Sequence, residues 1–353
     1  MLHIFLVTGE TEMKILSTFC KNKHKIKQYN SIQIWHEFKT KSSPTTNDEN
    51  ICIPISEIDV NIWRLKKKWL GRHNYLDIGL KIINGQSIQK VYMYFPFIIT
   101  ETEISDLGFQ LRNQEVLNGI FNENYSADNN NKLTTIKQGN TTVFTVYELQ
   151  SSPQGRDIAL SHEYGGTVIS FEVKSKNNDK MYYRFRIASK NFGNFFEIFK
   201  PKNSFFESAF AETEIVDFRM NEKRNQDLSL MEKISENRSL DISKINFFVI
   251  SPMKDEMLIN GVNLKYQRQL EDGDFWRTYL GQAYERMSVY RYKALPETGE
   301  SIDHFGCFFK VQYRKANIVT ILRYILVLTI ISIAINLISS YLYDFIVRVN
   351  SDI

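Results

Sequence analysis

Cysteine and histidine are scarce in this 353-residue chain, which limits the chemistry it can carry. Its three cysteines, Cys20, Cys52 and Cys307, are an odd number without metal-ligand spacing, so they predict neither a disulfide framework nor a zinc site. The six histidines are scattered, and the sequence has no glycine-rich phosphate-binding loop. We therefore expect a protein of a reducing compartment that uses no metal or other cofactor and is not an enzyme.

A strong excess of one charge is also lacking. Forty-four lysines and arginines against forty acids give a net charge of +4, too small to imply nucleic acid binding by itself. Hydrophobic residues make up 43 % of the chain and aromatic residues 13 %, including 25 phenylalanines and 18 tyrosines. This composition excludes a disordered chain and suits half-buried β-strands.

Alternation of apolar and polar residues with period two is the dominant pattern before the C-terminal region. It predicts strands at residues 74–83, 87–95, 141–149, 167–174, 181–188, 245–250 and 307–313. In the segment from 181 to 188, Tyr182, Arg184 and Arg186 alternate with apolar residues, so we expect them on a solvent-exposed face. The pattern predicts a mainly β fold, all-β or α+β, with antiparallel sheets.

Helical spacing is rarer, and one segment interrupts both patterns. Helices are predicted at residues 103–112, 114–122, 231–236 and 275–284. The segment NENYSADNNNK is rich in Asn and Asp, which favour turns. We divide the chain into a basic N-terminal part of a β-rich body, an Asn-rich loop or linker, a second β-rich part, a transmembrane helix with its flanks and a short external tail: residues 1–121, 122–132, 133–315, 316–348 and 349–353.

The sequence has one long hydrophobic run, near the C-terminus. Tyr324 to Tyr343 spans twenty residues without a charged side chain. A helix of twenty residues is about 30 Å long, which matches the hydrocarbon core of a bilayer. The short apolar run at the N-terminus is not expected to be a secretory signal, because no basic residue precedes it and Glu10 and Glu12 follow it. We predict one membrane-spanning helix.

The charges that flank the hydrophobic run predict its orientation. On the body side, no acid lies between His304 and Arg323, whereas Arg348 in the tail is offset by Asp344 and Asp352. The juxtamembrane cations are Lys310, Arg314, Lys315 and Arg323. Because segments rich in Lys and Arg stay in the cytoplasm, we expect a tail-anchored, single-pass protein with its body in the cytoplasm. The abundance of Lys, Asn and Ile resembles that of AT-rich bacterial coding sequences, which indicates a bacterial inner membrane.

The predicted membrane helix carries a polar stripe, which we call the seam. Its members are three, four, three and four residues apart: Thr329, Ser332, Asn336, Ser339 and Tyr343. Small and hydrogen-bonding side chains hold membrane helices together, and a buried Asn fixes the register and the number of partners. The seam therefore predicts a homo-oligomer, either a tight dimer or a higher oligomer with a polar path. The alternative is a monomeric anchor whose Ser and Thr bond to their own backbone.

A second segment, near the N-terminus, combines basic and aromatic residues and is called here the basic-aromatic patch. Its members are Trp63, Arg64, Lys66, Lys67, Lys68, Trp69 and Arg72. Cationic side chains hold phosphates, while indole rings stack on bases or lie at a lipid interface. The patch predicts either a solvated turn or binding of anionic lipid, with nucleic acid as a less favoured partner.

One arrangement resembles an enzyme motif. Asp157 precedes Glu172 and Lys174 in a layout similar to the Asp…Glu-x-Lys core of the PD-(D/E)xK nucleases. In that family two acids hold Mg²⁺ and the lysine orients water. The resemblance implies a membrane-tethered, Mg²⁺-dependent nuclease.

These features predict a tail-anchored protein whose cytosolic β-rich domain senses a ligand or a protein partner and controls self-association of the membrane helix. In architecture the chain is similar to the single-helix membrane effectors of bacterial abortive-infection and antiviral defence systems. That resemblance implies an effector that permeabilises the cell's own membrane. The first alternative is a membrane-tethered scaffold or assembly factor without pore activity, and the second is the nuclease.

Overall fold

The protein is described by a computed structural model. Its described residues are 31–39, 54–67, 71–150, 157–175, 179–189, 192, 195–199, 211–224, 226–259, 264–296, 301–314 and 318–351. The chain is mostly β, with antiparallel and mixed sheets and an apolar helix near the C-terminus.

The strands and helices follow one another in this order. The strands are β1 (Gln33–Phe38), β2 (Ile55–Lys67), β3 (Gly71–Ile83), β4 (Ile88–Phe95), β5 (Ile104–Asp106), β6 (Ser126–Asn130), β7 (Leu133–Gln138), β8 (Thr141–Tyr147), β9 (Ile158–Ser161), β10 (Thr167–Glu172), β11 (Lys180–Ile187), β12 (Phe196–Phe199), β13 (Ala211–Met220), β14 (Arg238–Ser239), β15 (Ile242–Pro252), β16 (Glu256–Ile259), β17 (Leu264–Gln269), β18 (Met287–Ala294) and β19 (Phe305–Arg314). The α-helices are α1 (Gln114–Phe121), α2 (Leu228–Glu236), α3 (Asp274–Leu280) and α4 (Ile318–Ser351).

The described strands form three sheets. A five-stranded sheet has the order β14-β1-β4-β10-β9, and a four-stranded sheet has the order β12-β13-β19-β16. A ten-stranded sheet has the order β17-β18-β15-β2-β3-β11-β8-β7-β6, with β5 also paired to β11. Most neighbours are antiparallel, whereas β15 with β2 and β11 with β8 are parallel.

The chain divides into two compact units. The larger is formed from Met1–Phe195, Asp217–Pro252 and Val262–Cys307, and the smaller from Phe196–Val216, Met253–Gly261 and Phe308–Ile353. The described part of the larger unit contains the five- and ten-stranded sheets and helices α1 to α3. The smaller contains most of the four-stranded sheet and α4.

The two sheets of the larger unit pack face to face. The rings of Phe171 in β10 and Tyr183 in β11 lie 4.9 Å apart between their centroids, and both side chains are buried. On the other face of the five-stranded sheet, Leu230 of α2 packs against Trp35 of β1. Each such buried side chain stabilises the fold by about 1.5–3 kcal/mol relative to an exposed one.

The helices α1 and α2 begin at side-chain caps. Asn113 accepts hydrogen bonds from the backbone N–H groups of Glu115 and Val116 at 2.9 and 3.1 Å. Asp227 likewise accepts from the N–H of Ser229 at 2.9 Å. Such caps satisfy N–H groups that have no partner inside the helix.

All seven strands predicted from the sequence are confirmed, with ends that differ by a few residues. They are β3, β4, β8, β10, β11, β15 and β19. The helices predicted at 114–122, 231–236 and 275–284 are confirmed as α1, α2 and α3.

The helix predicted at residues 103–112 is wrong. Two short 3₁₀ turns, Glu101–Glu103 and Phe109–Arg112, lie on either side of β5. Asp106 accepts a hydrogen bond from the N–H of Phe109 at 3.1 Å. An Asp side chain that bonds to nearby backbone competes with helical hydrogen bonding and favours a turn.

The Asn-rich segment at 122–132 contains a strand. Ser126–Asn130 is β6, which pairs with β7 through a turn in which Asn131 has φ 49°. Strands from both sides of this segment lie in the same ten-stranded sheet.

The expectation of a solvent-exposed face on β11 is wrong. Tyr182 and Arg184 are completely buried, and Arg186 is 5 % exposed. Helices α1 and α3 cover this face, since their apolar side chains share a core with Tyr182. Period two shows that two faces differ in polarity, but it does not show whether the polar face meets water.

The described residues contain one helix that is long and apolar enough to cross a membrane. Within α4, Tyr324–Arg348 spans 25 residues, and its most apolar stretch of 18 residues has a mean hydropathy of 2.2 and no part buried inside the protein. This agrees with the predicted membrane-spanning run in length and position.

Candidate ligand pocket

Strand register gathers polar side chains on one face at the centre of the ten-stranded sheet. Across β18, β15, β2, β3 and β11, one row of paired residues is Lys293, Asn246, Asp59, Gly79 and Arg184. The neighbouring row, two residues away along each strand, is Arg291, Phe248, Asn61, Asp77 and Arg186. Residues two apart along a strand share a face, so both rows lie on the same surface. No single strand contains this grouping, and only the sheet assembles it.

Helices α1 and α3 cover this surface and leave a pocket beneath them. Gly119 of α1 and Trp276 of α3 lie so close that a Cβ at Gly119 would be 2.9 Å from the indole ring. The pocket is partly open, and its empty space of about 620 Å³ includes volume that is open to solvent. Its charged lining residues are Asp59, Arg184, Arg268 and Arg291.

Asp77 is the centre of a buried polar network beside the pocket. Arg186 donates to both of its carboxylate oxygens, from Nε at 2.7 Å and from Nη2 at 2.9 Å. Trp63 Nε1 and the Tyr279 hydroxyl donate to Oδ2 at 2.8 and 2.7 Å. Arg184 Nη2 lies 4.0 Å from the same oxygen. Two buried arginines therefore lie beside the carboxylate of Asp77.

Asp59 is the second carboxylate of the network and lies at the pocket itself. It accepts hydrogen bonds from the Tyr182 hydroxyl at 3.0 Å and from Asn246 Nδ2 at 2.7 Å. Arg291 Nη2 donates to Asn246 Oδ1 at 3.1 Å. Arg184 Nη1 donates to the Tyr182 hydroxyl at 2.9 Å, so the two carboxylates belong to one connected network.

Burial fixes the protonation states of the tyrosines and arginines. It raises the pKa of the Tyr182 hydroxyl well above its ordinary value, and that of Tyr279 likewise. Burial lowers the pKa of Arg184, but Tyr182, Tyr279 and Asp77 together outweigh this and hold it well above the ordinary value. At neutral pH the tyrosines are neutral donors and the arginines keep their charge.

Several polar atoms of the pocket have no hydrogen-bond partner among the described residues. They are Arg184 Nη2, Arg291 Nε, Arg268 Nε, Trp276 Nε1 and Asn61 Oδ1. A buried donor or acceptor without a partner costs about 1–3 kcal/mol, and more when the group is charged. Four of these five atoms are donors, so the site is poor in acceptors.

Aromatic rings form much of the remaining wall. Phe248 and Tyr266 contact Arg291, whose guanidinium carbon lies 5.6 and 5.4 Å from their ring centroids. Trp63 and Trp276 also line the pocket, with ring centroids 5.4 Å apart. The pocket thus combines cationic donors with flat apolar surfaces.

The predicted basic-aromatic patch is partly in the interior. Trp63 and Arg64 are 1 % and 2 % exposed, and Trp63 reaches the pocket rather than the surface. The side chains of Lys66, Lys67 and Arg72, and the whole of Lys68 and Trp69, lie outside the described part of the structure. Lipid or nucleic acid binding by this segment stays a prediction.

The seam lies along α4, and all five of its side chains are exposed: Thr329, Ser332, Asn336, Ser339 and Tyr343. The hydroxyl of Thr329 donates to the backbone oxygen of Ile325 at 2.9 Å. Of the juxtamembrane cations, Lys310 lies in β19 and is half-buried. The side chains of Arg314 and Arg323, like Lys315 as a whole, are outside the described residues.

The residues of the nuclease-like motif are engaged with lysines. Glu172 forms an ion pair with Lys174, and Asp157 Oδ2 lies 3.4 Å from Lys132 Nζ. Asp157 also accepts the backbone N–H of Gln150 at 2.9 Å. Within the described residues, no group of three or more His, Cys, Asp and Glu side chains could hold a metal ion. The nuclease hypothesis stays a prediction.

Sequence reasoning missed the pocket because its residues come from five strands and two helices. One local signal was present in β11, KMYYRFRI, where bulky side chains occupy both faces. Arginines that alternate with aromatic residues on such a strand indicate that another element covers the polar face, because large aromatic side chains are mostly buried.

No protein-family model matches the chain, and no curated protein sequence matches it.

Proposed function

We propose that the protein is a membrane-anchored receptor. Its β-rich body binds a small ligand in the pocket over Arg184, and α4 anchors this body to a bacterial inner membrane. The observation that carries the proposal is the partly open pocket with a buried, charged floor, in a chain that also has an apolar helix of 25 residues. A protein that served only as a membrane anchor would not require such a pocket.

The output of the receptor is self-association of α4, which permeabilises the membrane. The seam supports this part of the proposal, because Ser332, Asn336 and Ser339 are polar groups within the most apolar part of the helix. In hydrocarbon such groups are satisfied by another helix or by a polar path. The cations before the helix support a cytoplasmic body.

The test is expression of the full chain in a bacterium that carries a membrane-potential dye. We expect depolarisation by the unaltered chain and its loss in the double variant Ser332→Leu with Asn336→Leu. Both chains should remain in the membrane fraction, since the substitutions make the helix more apolar. Protease treatment of inverted vesicles should digest the body, as expected for a cytoplasmic face.

Two results would contradict the proposal. Unchanged potential with the unaltered chain would reject the permeabilising output and favour a membrane-tethered scaffold. Equal depolarisation by the double variant would show that the seam is not the working surface. Thr329→Val is the matched control, because the Thr329 hydroxyl already bonds within its own helix.

A further inference from the structure

We propose that the pocket binds a nucleotide, with its phosphate at the arginines and its base on the aromatic wall. This inference deepens the proposed function and rests on the same pocket. It names the chemical class of the ligand from the charge, the hydrogen-bond donors and the rings of the lining residues.

Cationic side chains outnumber carboxylates along the pocket lining, which has Arg184, Arg268 and Arg291 against Asp59, although Arg268 also pairs with Glu271. Arg184 and Arg186 share the single carboxylate of Asp77, with Arg186 occupying both of its oxygens. The second carboxylate, Asp59, is occupied by Tyr182 and Asn246. Asp77 and Asp59 together match the charges of Arg184 and Arg186, so the guanidinium of Arg291 is the excess charge that a negative ligand group at the lining would offset.

The donors of the pocket are suited to phosphate. Arg184 lines the pocket, is fully buried and has Nη2 without a hydrogen-bond partner among the described residues. Arg291 and Arg268 add two further guanidinium groups to the lining, each with Nε unpartnered within the described part of the chain. Guanidinium groups present paired donors that match phosphate oxygens, and a phosphate monoester carries up to two negative charges.

The rings of the pocket are suited to a planar base. Phe248 and Tyr266 line the pocket and are half-buried, so part of each ring is accessible. The guanidinium of Arg291 already lies against both rings. Aromatic and guanidinium planes stack on nucleobases, and each such contact contributes about 1–3 kcal/mol. A phosphate without a base would make no stacking contact with these rings.

The experiment is calorimetric titration of the detergent-solubilised full chain with AMP, GMP, CMP and UMP. Three further probes separate the two halves of the ligand: the matching nucleoside, ribose 5-phosphate and inorganic phosphate. We expect at least one nucleoside monophosphate to bind at least tenfold more tightly than each of these three probes. Inorganic phosphate as the tightest probe, or a nucleoside that binds as well as its monophosphate, would overturn the inference.

Variants assign the two halves of the site. Arg291→Gln should weaken nucleotide binding at least tenfold and nucleoside binding by a smaller factor, because Arg291 also lies against the rings of the base wall. Tyr266→Leu should weaken nucleotide binding but not that of ribose 5-phosphate. Both residues are half-buried, and circular dichroism should be used to check that each variant is folded. Arg224→Ala is the control, because Arg224 pairs with Glu222 and does not line the pocket.

Failure of this inference is distinguishable from failure of the proposed function. Depolarisation without nucleotide binding rejects the ligand class and leaves the receptor with a different ligand. Nucleotide binding without depolarisation supports the ligand class and rejects the permeabilising output. Equal losses in Arg224→Ala and Arg291→Gln would show a general charge effect and overturn the assignment of the site.

Discussion

Gly79 allows the polar network to cross the sheet. It lies in β3 between Asp59 of β2 and Arg184 of β11. A Cβ at this position would collide with the hydroxyl of Tyr182 and lie 3.1 Å from Arg184 Nη1. The absence of a side chain therefore gives Tyr182 the space to reach Asp59.

Gly79→Ala should destabilise the protein by about 2–5 kcal/mol. The new methyl group displaces the buried Tyr182 hydroxyl, which strains the core and breaks the hydrogen bonds to Asp59 and from Arg184. Urea denaturation of the detergent-solubilised full chain measures the effect.

The control for this variant is Gly306→Ala, because a Cβ at Gly306 has no atom within 4 Å. It should unfold at the same urea concentration as the unaltered chain. Adding Tyr182→Phe to Gly79→Ala removes the colliding hydroxyl and should restore part of the lost stability. An unchanged midpoint for Gly79→Ala would show that Tyr182 does not occupy this space.

His36 is a second residue with a measurable consequence. It shares a face of β1 with Ile34, is 1 % exposed, and has no hydrogen-bond partner for either ring nitrogen among the described residues. Burial, with a smaller contribution from the charge of Arg238, lowers the pKa of His36 to about 4. The imidazole is therefore neutral in the folded protein at neutral pH.

Stability should fall as pH falls from about 6.5 to about 4. In this range the unfolded chain binds a proton at His36 and the folded protein does not, so acid favours unfolding by up to about 3 kcal/mol. Above pH 6.5 both states are neutral at this residue, and its contribution is constant. Urea midpoints at pH 7.5, 5.5 and 4.5 for the unaltered chain and His36→Leu measure the difference. Identical pH slopes in the two chains would contradict the prediction.

At the scale of elements, α4 combines two kinds of polar side chain. Thr329 satisfies its hydroxyl within the helix, through Ile325. Asn336 is exposed along the helix, and an amide without a hydrogen-bond partner is costly in hydrocarbon. Asn336 therefore gains more from a second helix than Thr329 does, so the members of the seam are not equivalent.

Asn336→Leu should weaken self-association of the full chain in detergent by about 3- to 30-fold, because an interhelical hydrogen bond in such surroundings contributes about 0.6–2 kcal/mol. Crosslinking as a function of protein-to-detergent ratio measures the change. Thr329→Val should leave the crosslinked size distribution as it was. If Asn336→Leu also has no effect, α4 is a monomeric anchor and the seam is not an interface.

The strand β11 shows how an element depends on its surroundings. Its alternation predicts a strand, and the structure confirms one from Lys180 to Ile187. The same alternation gives no information on what covers Arg184 and Arg186, which depends on α1 and α3 elsewhere in the chain. Local sequence therefore decides the conformation of β11, and tertiary packing decides the burial of its arginines.

At the scale of the whole molecule, the pocket depends on strands that are far apart in sequence. β2 and β15 are paired in parallel, although Asp59 and Asn246 are 187 residues apart. This pairing places the two side chains 2.7 Å from each other, Oδ1 to Nδ2. Binding in this pocket and association through α4 involve different compact units of the chain. For that reason, depolarisation and nucleotide binding are best measured separately on the full chain.

The sequence by itself determined the features that depend on neighbouring residues. Period-two alternation predicted seven of the nineteen described strands, because side-chain direction reverses at each residue, and α4 followed from twenty uncharged residues whose helical length matches a bilayer. The low cysteine content is also a local property of the sequence, since three cysteines without metal-ligand spacing predicted neither a disulfide framework nor a zinc site. The pocket was decided only by the tertiary structure. Sheet register brings Asp59, Arg184 and Arg291 together, and register depends on contacts between distant segments that no local pattern records.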